Sequence, residues 1–587
     1  MSATPYTNQL HSRNIRLIRI LPGDPDNPTG PVKRLLTEVS LQDPPPYEAL
    51  SYVWGDPEVT ERMLCNGVSF NVTANLASAL QRLRRSLKPL KTHSTAVPAT
   101  LLDDDALSTD SGARGSPLLW VDAICIHQQD VAERNHQVSL MKDIYSGATR
   151  VLVWLEDRHP REDEIEKAVA TIKYVSLEKL NFKFRSYEIA PGDSLTDLER
   201  KIRERDLRSN WLALNVVFSS QWYDRVWCIQ EVALARETMM LFNDNEVEGK
   251  DVARLCMWYT EFCKSDSPPT GFYYLSHRNL YKMQRRLHTF NRSSSPLSVL
   301  QWFREKRAKD PRDNIYGLLG LMTEKVIQAD YTKSTSEVFV DTVLELIVHD
   351  KDLSVLSHVH HPSSFDESIH LSSFAPRWDL PGITVMCPPS YSQIFAGCRR
   401  APLVNIAETK EGAIGLRGLL CDDVHIVKTF WESEMWEMFE RPEPPIVRTV
   451  RTLTGGRISI DRCIDELDSD AGKRFLSNFS TFLSGSADEL DIKVQNEIET
   501  LLGLNIEHRQ LFRTKRSWAG LGPKCMRNGD IVVVFTGGAM PFILRPANNG
   551  KDQYYLMGEC YIYDIAMGQA YDILGKEGVE ERILELI

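Results

Sequence analysis

The chain has 587 residues, 42% of them apolar and 25% charged, with a net charge of −11 at pH 7. That length exceeds what one hydrophobic core supports and predicts roughly two to four domains. The acidic balance excludes a general nucleic-acid binder, and the apolar runs are all too short to predict a membrane span.

The N-terminus lacks the apolar stretch and small-residue site of a secretory signal. The eleven cysteines are odd in number and several sit in apolar runs, as Cys125, Cys228 and Cys256 do. That usage reads as reduced, buried thiols and predicts a cytoplasmic protein. In chain order, Ile15–Leu21 alternates like a strand, and "YEALSYVWG" (Tyr47–Gly55) is an apolar, aromatic strand ending at glycine. Asn66-Gly67 between two short apolar runs predicts a type I′ hairpin. A helix opened by Thr73 follows, with Leu76, Leu80 and Leu83 on one face. The Ser-, Thr-, Asp- and Pro-rich stretch Thr92–Pro117 predicts an insertion without a core.

"LLWVDAICI" (Leu118–Ile126) reads as a continuous strand buried on both faces. Asp130 and Glu133 form an Asp-x-x-Glu capping box for a helix that stops at Gly147. Thr149–Asp157 is a further buried strand, and Glu237–Phe242 one more, with a charged helical insertion near 158–210 between them. Strands and helices alternating at this spacing predict right-handed crossovers and a parallel sheet, flavodoxin-like, with helices on both faces. Ligands of such sheets bind beyond the carboxyl ends of the strands, here the loops after Gly55, Ile126 and Asp157. A mainly helical region (261–400) contains Ser334 three residues before Glu337, a second capping box, and Gly317 and Gly320, which permit close helix approach. Short strands with Gly-rich turns in 401–587 predict a small β-rich domain.

Nucleotide-loop, zinc-helix and nucleophile-elbow motifs are absent from the sequence. The His358, His360 and His361 cluster has no second ligand group at a matching spacing, so no metal is predicted and a polar loop is the plainer reading. Cys125 with His127 has the types of a nucleophile and base, against a buried structural thiol. Ser51–Asp56 places Gly55 where backbone can approach a ligand, or forms a tight turn with a packing Trp. Asp122, acidic inside an apolar run, can cap a helix, pair with Arg134 or face a pocket. The sharpest anomaly is "DRVWCIQEVALA" (Asp224–Ala235), an almost wholly apolar helix in which Glu231 shares a face with Trp227, Leu234 and Ala235. A carboxylate there is costly unless paired, protonated or open to a cleft. A structural ion pair with Arg134 or Arg150 and a working role both satisfy that requirement.

"YEALSYVWGD", "LWVDAICIHQQDVAERNHQVSLMKDIYSGATRVLVWLED" and "DRVWCIQEVALA" together resemble the three blocks of the fungal heterokaryon-incompatibility (HET) family. "DPRDNIYGLLGL", "SFAPRWDL" and the tail "GLGPKCMRNGDIVVVFTGGAMPFILR" resemble segments that often follow them. His127 departs from the family's usual Asn. The resemblance implies a domain over 47–260, preceded by a strand region at 1–46, and a role in nonself recognition that ends in cell death. More remotely, "LSYVWGD" and "RVWCIQEV" are similar to a strand and a helix of Toll/interleukin-1 receptor (TIR) domains. Val53, Trp54 and Arg225 depart from that pattern. The enzymatic members cleave NAD, and their catalytic glutamate falls on Glu231. What this implies is NAD as substrate, no required cofactor, and a pocket from Ser51, Tyr52, Trp54, Gly55, Asp56, Asp122, His127 and Trp227. It also implies a homo-oligomer on activation and a protein partner in nonself recognition. The competing implication is a self-associating signalling module without turnover.

Overall fold

The computed structural model describes residues 5–6, 9–21, 32–85, 117–155, 162–178, 208–256, 295–324, 326–363, 365, 371–382, 385–386, 412–428, 445–459, 462–463, 469–547, 552–566 and 568–587. Most of the insertions expected at 92–117 and 158–210 lie outside these residues. The chain divides into two compact units, Met1–Val299 with Lys306–Thr332, and Leu300–Glu305 with Lys333–Ile587.

The first unit is built on a nine-stranded sheet. Its strands are β1 (Asn14–Ile20), β2 (Lys33–Ser40), β3 (Tyr47–Tyr52), β4 (Thr60–Cys65), β5 (Val68–Thr73), β6 (Leu118–Trp120), β7 (Val151–Trp154), β8 (Thr238–Phe242) and β9 (Asn245–Glu248). They lie in the order β5-β4-β2-β1-β6-β3-β7-β8-β9. The centre, β6-β3-β7-β8, is parallel throughout. Among these four, chain order reads second, first, third, fourth, which is the flavodoxin-like order with its switch point between β3 and β7. Every residue of β3 and β7 is buried, so both faces of the sheet's centre are covered. The strand region before residue 47 is not separate: β1 joins the sheet through β6.

Helices α1 (Ala74–Arg85), α2 (Asp122–Cys125), α3 (Val131–Gly147), α4 (Glu162–Glu178), α5 (Arg208–Phe218), α6 (Cys228–Ala233) and α7 (Asp313–Tyr316) complete this unit. The expected hairpin is there: β4 pairs antiparallel with β5, with Asn66 and Gly67 both at positive φ (50° and 78°). The Asp130 cap holds half of its box. Its side chain accepts from Glu133 N at 3.0 Å, but Glu133 turns instead to Arg16, at 2.6 Å.

Two expected elements are shorter than the sequence pattern. The nine-residue strand from Leu118 stops after Trp120 and turns into α2. Asp122 drives the change: its Oδ1 accepts from Ala123 N at 2.7 Å, and Cys125 N reaches Val121 O at 2.7 Å. Asp122 therefore stands at a strand's carboxyl end rather than inside it. The helix expected from Asp224 starts only at Cys228. Before it, Arg225 is extended, because Arg307 N donates to Asp224 O (2.7 Å) and Val226 N donates to Arg307 O (3.1 Å). Tertiary pairing overrides helical periodicity there.

The second unit contains α8 (Thr335–Asp350), opened by the full Ser334–Glu337 capping box, and α9 (Pro445–Leu453), α10 (Asp470–Leu483) and α11 (Ile492–Ile506). Its sheet comprises β10 (Ile414–Lys428), β11 (Arg509–Thr514), β12 (Ala519–Pro523), β13 (Ile531–Phe535), β14 (Phe542–Pro546), β15 (Gln553–Glu559), β16 (Tyr561–Ile562) and β17 (Arg582–Leu586), with α12 (Gln569–Lys576) before the last strand. The strand order is β13-β14-β15-β17-β10-β11-β12-β16, and β13 also pairs with β10. That pairing closes a five-strand ring. β10 closes it by changing partner along its length: β17 from Ile414 to Gly418, β13 from Gly418 to Asp423 across a bulge after Leu420, then β11 from Val424. A bend of this kind relieves a long strand that must serve three neighbours. Among the described residues, no helix is long and apolar enough to cross a membrane.

Candidate functional site

The switch point places the carboxyl ends of β3 and β7 side by side, and Asn75 ties them. Its amide donates to Val53 O (2.5 Å) and accepts from Trp154 Nε1 (2.8 Å). Gly55 follows at φ +78°, where a side chain would be strained and its Cβ would sit 3.4 Å from Asn75 Cβ. Neither Asn75 nor this double tie has a signal in the sequence pattern.

Helix α6 packs against β3 and brings Glu231 to Ser51, 180 positions earlier in the chain. Ser51 Oγ accepts from Trp222 Nε1 at 2.8 Å and donates its own hydrogen to Glu231 Oε2. The indole N–H thus fixes which way the hydroxyl points. Tyr145, on α3, is a further buried hydroxyl nearby, and it donates to Leu50 O at 3.4 Å. Glu231 is 4% exposed. Burial pushes its pKa up to about 7, against the pull of Arg225 and the hydrogen bond from Ser51, while nearby Asp122 adds to the rise.

The charge facing Glu231 is Arg225, whose Nη1 donates to Tyr52 O at the end of β3. Neither Arg134 nor Arg150 takes the role sequence reasoning offered them. Arg150 pairs with Glu48. Arg134 lies over the Tyr331 ring, 4.3 Å from its centre. Arg225, Tyr145, Trp222 and Asn75 are the members of the site that the sequence reading missed.

Asp122 borders the same charge cluster. It accepts from Trp54 Nε1 at 2.8 Å, and burial raises its pKa against the Trp54 bond and Arg225. Trp54 is nonetheless 38% exposed, an indole edge open to solvent at the rim. Trp227 is the N-cap of α6, half-buried, with Glu231 N donating to its carbonyl at 3.4 Å. Ser51, Tyr52, Trp54, Gly55, Asp122, Trp227 and Glu231 thus gather around the ends of β3 and β6 and the start of α6.

Asp56 and His127 have other described contacts. Asp56 accepts from Glu58 N at 3.0 Å in an exposed turn. His127 stacks on Tyr6, ring centres 4.6 Å apart, and its backbone N donates to Glu133 Oε1 at 2.8 Å. His127, Asp130 and Glu133 have ligand atoms within 4.8 Å of one another. Arg16 already holds both Glu133 oxygens, at 2.6 and 3.0 Å, so a cation would meet a guanidinium there. Cys125 is buried and its thiol is pushed up to about 12 by burial, which suits a packing thiol and no nucleophile.

Comparison with known proteins agrees with this frame. Residues 47–231 match the family described as heterokaryon incompatibility protein (HET), and the last matched residue is Glu231. Residues 489–578 match the Het-6 beta-barrel domain, from α11 through β11–β16 to α12. The chain is 23% identical to the Neurospora crassa protein named heterokaryon incompatibility protein 6, OR allele, over 92% of each chain.

This is a HET-domain protein.

The HET match takes in β3 to α6 up to Glu231, and so the sheet's switch point together with Ser51 and Glu231. No solved structure matches the chain.

Proposed function

We propose that this HET-domain protein is a fungal effector of nonself recognition and cell death, and that it acts by cleaving the nicotinamide–ribose bond of NAD. The incompatibility role rests on the HET domain and on the name of the Neurospora relative. One observation carries the chemistry: Glu231 is a buried carboxylate at the switch point that meets the Ser51 hydroxyl directly, with an arginine nearby. A structural glutamate at such depth is expected to meet its cation directly.

Bond cleavage develops positive charge on the ribose, and a dry carboxylate beside it stabilises that charge. Nicotinamide leaves as a neutral base from a cationic ring, so no acid need protonate it. Water then adds to the ribose carbon. Its proton passes to Glu231, whose pKa of about 7 suits a general base at neutral pH. The products are nicotinamide, ADP-ribose and a proton. Self-association of the chain is the proposed trigger.

The test is chromatography of NAD incubated with concentrated full-length protein, beside a Glu231→Gln variant of equal thermal stability. Equal amounts of nicotinamide and ADP-ribose are expected from the wild type, with release at least ~100-fold slower in the variant. Equal release from both would end the role of Glu231. Release from neither, with the fold intact, would favour a self-associating module without turnover.

A further inference from the structure

Trp222 is fully buried in the short helical turn Gln221–Asp224 that precedes α6. That turn is held from several sides. Ser220 Oγ accepts from Trp222 N at 3.3 Å, Lys306 Nζ donates to Tyr223 O, and Arg307 N donates to Asp224 O at 2.7 Å. The Tyr223 ring stands edge-on to the indole, with ring centres 5.1 Å apart. An indole packed in this way has no room to swing, so the fold itself sets the direction of its N–H.

A buried indole N–H needs an acceptor, and any carbonyl would serve. At the same switch point Trp154 gives its N–H to the Asn75 amide oxygen at 2.8 Å, an acceptor with no hydrogen to pass on. Trp222 instead gives its N–H to Ser51 Oγ at 2.8 Å, and a hydroxyl that accepts still has a hydrogen of its own to place. That hydrogen goes to Glu231 Oε2. Ser51 is 1% exposed, so both of its bonds are shielded from water.

These donors run one way only, because an indole cannot accept. A proton on Oε2 would point at Ser51 Oγ and displace the serine hydrogen, which has no other acceptor among the described residues. Leaving a buried hydroxyl hydrogen unsatisfied is costly. Oε2 therefore stays an acceptor whether Glu231 is charged or neutral. We propose that Trp222 and Ser51 are positioning residues that reserve Oε2, leaving Oε1 as the working atom of Glu231, the oxygen that takes and returns the proton. This rests on the NAD reading for what the proton does, but not for where it sits. In that reaction the water oxygen bonds the ribose carbon, one water proton passes to Oε1, and Oε1 then releases it to solvent.

The experiment follows the Trp222 indole N–H by NMR of the full chain labelled on tryptophan, through a pH titration, with Trp222→Phe to assign it. The resonance should move with the midpoint of Glu231, about 7. It should stand still in Glu231→Gln, and lose most of its movement in Ser51→Ala, where the carboxyl remains. In the cleaving enzyme Trp222→Phe should lower kcat about tenfold with KM nearly unchanged. Its apparent pKa should rise by about half a unit, since a hydroxyl free to turn supports the carboxylate less. An indole resonance that ignores the titration overturns the proposal, and so does one that moves equally in Ser51→Ala. So does a Trp222→Phe enzyme whose rate falls alike at every pH, as a packing defect would make it. If the resonance follows Glu231 through Ser51 but wild type releases no nicotinamide, the cleavage reading fails alone and the reserved oxygen stands.

Discussion

Glu231 in the first unit and the carboxylates of the barrel are buried in opposite ways. In the barrel, Asp530 is held by both ends of Arg545, at 2.8 and 2.9 Å, with Arg527 N adding a third bond at 2.8 Å. Glu559 likewise meets Arg509 at 2.9 Å and Met386 N at 2.6 Å. Glu133 in the first unit follows the same pattern. Burial raises its pKa, but Arg16 and the His127 and Leu10 amides outweigh that and hold it below the usual range. Glu231 is also buried, with the Ser51 hydroxyl as its direct partner and an arginine at a remove. Asp530, Glu559 and Glu133 each meet a guanidinium directly, and Glu231 does not. The proposed working role of Glu231 rests on that difference.

The largest effect should come from breaking the barrel's pair. Asp530→Ala leaves Arg545 buried without its counter-charge and should cost about 3–5 kcal/mol in chemical denaturation. A cost near zero would show that depth alone does not define a structural pair here. Glu231→Gln should do the reverse. With a folded pKa of about 7 against an ordinary 4.5, the folded state holds its proton more tightly than the unfolded chain. Stability therefore falls as pH rises through that window and stays low above it. The variant should gain up to about 3 kcal/mol over wild type at pH 8, and the two should converge below pH 5. A destabilised variant at pH 8 would place Glu231 among the structural carboxylates.

Arg225→Gln sharpens the comparison further. Losing the cation that pulls the Glu231 pKa down should move it up by about one unit, read as an alkaline shift in the pH dependence of stability. No shift would mean that the Ser51 hydroxyl alone holds the charge. The smallest effect is expected for Trp222→Phe, which removes the N–H that orients Ser51 and should cost about 1 kcal/mol by thermal unfolding.

Much of this was legible in the sequence, because the signals were local. Buried strands such as Tyr47–Tyr52 and Val151–Trp154, the Asn66-Gly67 hairpin and the Ser334 capping box depend on neighbours a few residues away. So did the anomaly of Glu231 itself. What escaped was decided over long range. Arg225 reads as helix interior until Arg307, 82 positions later, draws it into an extended bridge. Asp122 reads as mid-strand because nothing in an apolar run says that its own side chain will take the next amide, Ala123 N, where the chain turns. Asn75 carries no periodic signal for the atoms it reaches. His127 looked like a pocket residue, yet Tyr6 takes its ring.

The most direct test of the central claim is the pH–rate profile of nicotinamide release from NAD by the full-length protein. A rate that rises with an apparent pKa close to 7, and that disappears in Glu231→Gln, is the predicted result. Release that is flat across pH 5–9, or that survives in the variant, would contradict it and return Glu231 to the structural carboxylates.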